Sequence, residues 1–372
     1  EDEMSSKKQL VLPLVTTALL PTMVWAAGLE RVNIDPSFMY EPGTYAEFSY
    51  GSVNPSVPTG AIAAAGGISL DNVAGSFTVS NFAMKTAIGD KIDVGLWNTS
   101  NGNGVSIDWA PIGVKAELTM PTMAALVRYR LTDAVSIIGG LKRVSIDDGA
   151  ALTLPLTAAG ISSATHILSS TSATTSVYGL VTEMPEIAMR MEVLMEGAAA
   201  LDVDTSYSQT VGGVTTNYTG TAKASIGDAT SVYLQTGIDP DTAVYGSFRM
   251  SNWKDDQVKI PLSGTTNRAT ITTFEDGQSY TIGIGRKFSD TLSGSLSVYF
   301  DPADDCSSVS PLDPVCENRS INLGAKYSLS ERATLSVGST WTQYGDATVG
   351  APATSTTSSS KTSYGFKVGY KF

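Results

Sequence analysis

Histidine occurs once in the 372 residues, cysteine twice, and only 16% of the side chains are charged. Each scarcity closes off a class of function. A lone His166 with no cysteine near it in sequence leaves a zinc-type centre without ligands, so neither a metal nor a cofactor is expected. Basic residues number 24 against 36 acidic ones, for a net charge of −12, and so acidic a chain lacks the basic stripe that a phosphate backbone requires. Nucleic acid is therefore not an expected partner. Beyond the amino end no run reaches about eighteen apolar residues, the length a spanning helix needs. No glycine-rich phosphate loop stands between a strand and a helix.

What is present is alternation. In Lys361–Phe372 (KTSYGFKVGYKF), Thr362, Tyr364, Phe366, Val368, Tyr370 and Phe372 fall on one face, with Lys361, Ser363, Gly365, Lys367, Gly369 and Lys371 on the other. A soluble sandwich strand rarely runs so long with an aromatic face, whereas the closing strand of an outer-membrane barrel does. The final Phe372 is the expected contact for barrel-assembly machinery. A composition of 42% hydrophobic residues with 35 glycines suits strands that are half apolar and half polar.

The amino end points to the same compartment. Met4 is followed by Lys7 and Lys8, an apolar stretch from Leu10 to Leu20, and the small-residue site at Ala26. Residues 1–26 read as a signal peptide, with Met4 as the true start because Glu1, Asp2 and Glu3 place negative charge where positive charge belongs. A short segment, 27–43, then precedes a barrel over 44–372, and Ile34, Phe38, Met39 and Tyr40 are its plug candidates. The expected location is the bacterial outer membrane, among its lipid and lipopolysaccharide. In an exported chain, Cys306 and Cys316 within DPADDCSSVSPLDPVCENR read as a loop disulfide. The acids around them, Asp301, Asp304, Asp305, Asp313 and Glu317, read as a solvated loop, with a divalent-cation site as the alternative.

Period-two segments recur at 44–53, 74–85, 91–99, 116–130, 133–146, 173–183, 186–203, 222–236, 241–254, 270–288, 291–301, 319–329, 332–344 and 361–372. The fold class is therefore all-β, a transmembrane antiparallel β-barrel of about 14 strands. Six connections are tight, built from Gly, Asp, Pro or Ser, and they alternate with long ones. Short periplasmic turns and long extracellular loops are the outer-membrane pattern, and it leaves both termini on the periplasmic side. The alternation aims Leu292, Leu296, Val298 and Phe300 at lipid, and likewise Leu335, Val337 and Trp341. Ile187, Met189, Met191, Val193 and Met195 point out, which leaves Glu186, Arg190, Glu192 and Glu196 inside. Tyr50, Tyr129, Tyr280, Tyr327, Tyr344 and Tyr370 stand near strand ends, where aromatic girdles belong.

Four inward bases on different strands, Arg128, Lys142, Arg190 and Arg249, are the ligand-binding candidates, since a ring of such groups holds a carboxylate. Pairing with inward carboxylates is the competing reading. A hydrolase would need His166 as a base on the barrel wall, but His166 falls in the Ser/Thr-rich loop stretch ISSATHILSSTSATT. No catalytic residue is expected.

The segments VRYRLTDAVSIIGGLKRV, PEIAMRMEVLMEG, TAVYGSFRMSNWKDD, SYTIGIGRKFSDTLSGSLSVYFDPADD and INLGAKYSLSERATLSVGSTWTQYGDA resemble, in order and spacing, strands of the FadL/TodX group of outer-membrane transporters. The likeness covers the chain from about Phe77 onward. It implies a fourteen-stranded barrel and passive uptake of long-chain fatty acids or similar hydrophobic molecules. Members capture their cargo in an outer apolar groove, pass it to a lumenal pocket and release it sideways through the wall. A bound carboxylate would meet Arg190 and Arg249, which lie in matched segments, and ALTLPLTAAGISSATHIL is apolar enough for the outer groove. One departure is the amino-terminal segment, shorter than the family's plug and without its Asn-Pro-Ala stretch; a short plug and an open channel both remain. The alternatives are a small-solute diffusion porin, a lipid hydrolase and an adhesive barrel.

Overall fold

The computed structural model describes residues 28–156, 159–262, 267–303, 305–350 and 353–372. The expected signal peptide lies outside them. Among the described residues, fourteen antiparallel strands form a closed wall: β1 (Tyr45–Ser56), β2 (Phe77–Ile88), β3 (Ile92–Trp109), β4 (Val114–Arg130), β5 (Val135–Ile146), β6 (Thr171–Met184), β7 (Met189–Glu196), β8 (Ala229–Asp239), β9 (Thr242–Ser251), β10 (Gly277–Lys287), β11 (Leu292–Asp301), β12 (Cys316–Ser328), β13 (Ala333–Gly345) and β14 (Ser360–Lys371). Each pairs with its sequence neighbour, and β1 meets β14 from Tyr45↔Lys371 to Ser56↔Ser360. Closure leaves no unpaired edge, which a strand-built membrane protein requires.

Alternation decides the two faces. Leu296, Val298, Phe300, Val337 and Trp341 are exposed outward while Ser297, Ser336 and Thr342 are buried within. Tyr50, Tyr129, Tyr280, Tyr327 and Tyr370 are exposed as a girdle requires, but Tyr344 is inward and 4% exposed. Glu186 is also misplaced by simple parity: it sits exposed in the 3-10 turn Pro185–Ile187, because β7 begins only at Met189. The six short connections all lie at the end that carries Thr44 and Phe372, whose N–H donates to the Thr44 carbonyl at 3.0 Å.

The opposite end differs from a ring of loops. Stretches read as connections, together with 199–203 and 222–226, which the sequence joins to wall strands, form separate strands that raise one side of the wall into a rim. The hairpin Ala151–Leu156/Ile161–Leu168 pairs with β4 and with Ala199–Val211, which pairs in turn with Val214–Ile226. The reason is an apolar core at this height: Trp109, Met120, Leu152, Leu154, Leu201, Val203 and Trp253 are buried together. Inward side chains alternate with Ser, Thr and Asp outward, so each rim strand is polar enough on average to resemble a loop. Likewise β3 and β4 run on to a tight turn at Ala110–Ile112, so no long loop separates them. Cys306 and Cys316 are disulfide-bonded, with Cα atoms 5.6 Å apart.

Candidate functional site

The segment ahead of β1 lies inside the barrel, and a fault in the wall receives it. Pro121 on β4 has no N–H for the ladder, and opposite it β3 carries extra residues: the register jumps from Thr99↔Thr122 to Asn103↔Met120. A bulge of this kind bends its strand out of line. The displaced Gly102 carbonyl accepts from Arg31 N (2.9 Å) and Val32 N (3.0 Å), and Gly104 N donates to Leu29 O at 2.8 Å. A Cβ on Gly104 would run into the Leu118 carbonyl, so the close approach needs glycine.

On its other side β3 parts from β2. Their ladder ends at Asn81↔Thr99. Above it, Phe77–Ser80 keep their β1 partners, while the Ser80 N–H is taken by Ser100 Oγ at 2.9 Å. The strands rejoin where Gly75 N donates to Ser106 O at 2.9 Å. Between these points the Arg31 guanidinium lies 4.0 Å over the Phe77 ring and donates to Asn101 Oδ1 at 3.0 Å. The wall therefore has a ladder gap, lined by the amino-terminal segment.

Further down, Asp35 accepts from Ser37 N at 2.9 Å and opens the 3-10 turn Pro36–Tyr40. Phe38 and Met39 fit under Gly95 of β3, where any Cβ would strike both. With Ile34 they join an apolar cluster that includes Val79, Trp97, Leu126 and Ile138. Tyr40 crosses to β7 and donates its hydroxyl to Glu192 at 2.5 Å. Ile34, Phe38 and Met39 are thus buried in this cluster, with Tyr40 packed against it.

The four inward bases are buried, but not alike. Arg249 donates Nε to Glu30 at 3.2 Å, Nη2 to the second Glu30 oxygen, and Nη1 to Glu196 at 2.8 Å. Lys142 donates to Glu196 at 2.9 Å. The resulting chain, Lys142–Glu196–Arg249–Glu30, spans from β5 through β7 and β9 to the central segment and balances two cations with two carboxylates. Arg128 pairs with Glu183 and donates Nε to Ser136 at 2.9 Å. Arg190 has no such partner. Its guanidinium lies 4.2 Å over the Tyr40 ring and 5.1 Å over Tyr233, and Nε and Nη1 make no hydrogen bond although the residue is 4% exposed. The sequence reading missed Tyr233 and Glu30; the latter reaches Arg249 across 219 positions, which no local pattern reports.

At the loop end, His166 is in a strand rather than a loop. It is fully buried, stacks on Tyr207 at 4.7 Å, and neither ring nitrogen has a hydrogen-bond partner. Burial pulls its pKa down to about 4. Among the described residues, no hydroxyl or carboxylate is hydrogen-bonded to it, the contact by which a relay activates a nucleophile. The acidic stretch is not simply solvated either. Asp301 is buried, and with Asp313, Asn318 and Tyr344 it lines a cavity of about 110 Å³. Burial raises the Asp313 carboxyl to about 7. Among the described residues, no three His, Cys, Asp or Glu side chains are grouped to hold a metal ion.

No family model and no curated protein matches the sequence. Solved structures do. A FadL homologue of Pseudomonas aeruginosa superposes with a TM-score of 0.75 at 12% identity, over 90% of this chain and 92% of that one. The toluene transporter TodX of P. putida gives 0.66 at 12% identity, over 91% and 92%. The monoaromatic hydrocarbon channel CymD gives 0.67 at 10% identity, over 96% and 98%. The chain has the fold of these channels, a closed fourteen-stranded β-barrel.

Proposed function

We propose that this chain is an outer-membrane channel of the FadL/TodX type, passing hydrophobic molecules inward without an energy source, with long-chain fatty acids as its cargo. The observation that carries the reading is the ladder gap between β2 and β3, set beside a filled lumen. A filled lumen suits a solute that gains nothing from a water column, and a break in the wall lets such a solute leave into the apolar phase. The apolar core of the rim supplies the outer capture surface.

Arg190 argues for a carboxylate headgroup. A guanidinium held flat on aromatic faces is weakly hydrated and keeps in-plane N–H donors for a planar anion. The channels TodX and CymD are named for toluene and monoaromatic hydrocarbons, which carry no such group. Phe38 and Met39 act as the gate, released from beneath Gly95 as cargo passes.

Protein reconstituted in vesicles should speed oleate uptake while conducting few ions. Large, stable ion conductance without oleate uptake would overturn the reading in favour of a diffusion porin. Gly95→Val should force Phe38 and Met39 out of the lumen and raise conductance; an unchanged conductance removes the gate from the proposal. Faster entry of toluene but not oleate would keep the channel and discard the fatty acid.

A further inference from the structure

The outer wall holds one glycine that its own packing does not explain. Gly140 and Gly179 sit where a Cβ would meet the carbonyls of Ala125 and Val193, so backbone approach requires them. Gly139, outward on β5, has no atom within 4 Å of where its Cβ would be. A strand glycine weakens its strand by about 0.5–1 kcal/mol relative to alanine, so an unneeded one marks space that is used. An aromatic ring folded over the glycine would be the ordinary remedy. Tyr178 is directly cross-strand from Gly139, yet it is 54% exposed and stays clear of the position.

The result is an outward-open apolar groove across β4–β7, walled by Val127, Tyr129, Ile137, Tyr178 and Leu180 with Gly139 at its floor. It lies in the exposed apolar belt, so hydrocarbon covers it. Directly up the same face of β5 come Leu141 and then Arg143, about 13 Å above Gly139 along the strand. At that height the outward residues of β6 have turned to Ser176, Thr174 and Ser172, which marks the edge of the belt. Arg143 is exposed there, and its one hydrogen bond among the described residues goes to Ser172 Oγ at 2.9 Å. Unlike the inward bases, it forms no ion pair with a described carboxylate.

We propose that this groove and Arg143 form a binding site for one lipid A molecule of the outer leaflet: an acyl chain lies over Gly139 and a glucosamine phosphate meets the Arg143 guanidinium. Spacing and charge agree with that occupant, since the cation stands at the loop end of the belt and the acyl slot runs down from it. The proposal rests on the wall spanning the outer membrane and is independent of the transported cargo.

The test uses full-length protein in a nonionic detergent, titrated with lipid A, with phosphatidylglycerol or with phosphatidylcholine, and read by native mass spectrometry. Wild type should retain one lipid A at least tenfold more tightly than phosphatidylcholine. Arg143→Gln and Gly139→Leu should each weaken retention at least tenfold; the leucine fills open space, so the barrel should fold and keep its oleate uptake. Equal retention by wild type and both variants would overturn the site. Phosphatidylglycerol binding as tightly as lipid A would overturn the choice of lipid. Loss of oleate uptake in wild type with lipid retention intact would fault the transport reading alone.

Discussion

Two groups of charges in the lumen share β7, one at Glu196 and one at Arg190 and Glu192, and they are held by different physics. On the Glu30 side, Lys142, Glu196, Arg249 and Glu30 form an alternating chain in which every ion meets its opposite. At the Tyr40 end, Arg190 rests on two rings, and Glu192, two residues along β7, is engaged by the Tyr40 hydroxyl. The first arrangement is closed: adding a ligand anion would mean displacing a carboxylate. The second has donors left over in a buried place. Four bases with identical parity therefore separate into three that meet a carboxylate and one whose buried donors are left over.

The strongest way to break that distinction is to remove the acid shared by two bases. Glu196→Ala leaves Lys142 without a carboxylate and strips one from Arg249, and should lower stability by about 3–5 kcal/mol in denaturant unfolding of the refolded barrel. Arg190→Ala should lower it by only about 1–2 kcal/mol, the scale of desolvated cation–aromatic contact. Equal losses from the two variants would erase the difference.

Ligand binding should rank them the other way. Arg190→Ala should weaken oleate binding about tenfold or more, because a hydrogen bond to a charged group contributes about 1.5–3 kcal/mol. Methyl oleate, without the anion, should be indifferent to the change. Arg249→Gln should alter oleate affinity less than about threefold by the same titration; a larger effect there would move the headgroup site to the closed chain.

His166 extends the comparison to the rim, where a ring also stacks on tyrosine but loses its charge instead of keeping it. Its folded pKa of about 4 lies below the ordinary 6.5. The unfolded chain therefore takes up the proton first, and rim stability, full above pH 6.5, should decline as the pH falls from about 6.5 to about 4. Limited proteolysis of Ala151–Leu168 across this range should show the decline, and His166→Gln should flatten it.

The smallest effect is expected of Tyr40→Phe. Removing the hydroxyl from Glu192 while leaving the ring under Arg190 should cost about 1 kcal/mol of stability and leave oleate binding near wild type. A drop in oleate affinity to match Arg190→Ala would mean that the hydroxyl, and not the ring face, positions the guanidinium.

Much of this was legible in the chain. The wall was, because a strand with lipid on one side and lumen on the other must alternate at period two, and the tight turns carry their own chemistry. Tyr344 escaped because strand ends were judged by aromatic type, whereas facing depends on parity, and its parity is inward. The rim is legible only in part: alternation joins 199–203 to the strand before it, and the rest of Ala199–Val211, like the hairpin over 151–168, is polar on the side no neighbour covers. The detour of β3 was hidden for a related reason: Pro121 is on β4, so the cause of the bulge is about twenty residues from the bulge itself.

By itself the sequence determined that the protein is a strand-built wall and which way Arg128, Lys142, Arg190 and Arg249 point, since direction along a strand is a local consequence of backbone period. Only the tertiary structure decided which of them is neutralised. That depends on the register in which β5 to β9 pair in turn around a closed barrel. It depends equally on a central segment that brings Glu30 to Arg249 on β9 and Tyr40 to Glu192 on β7.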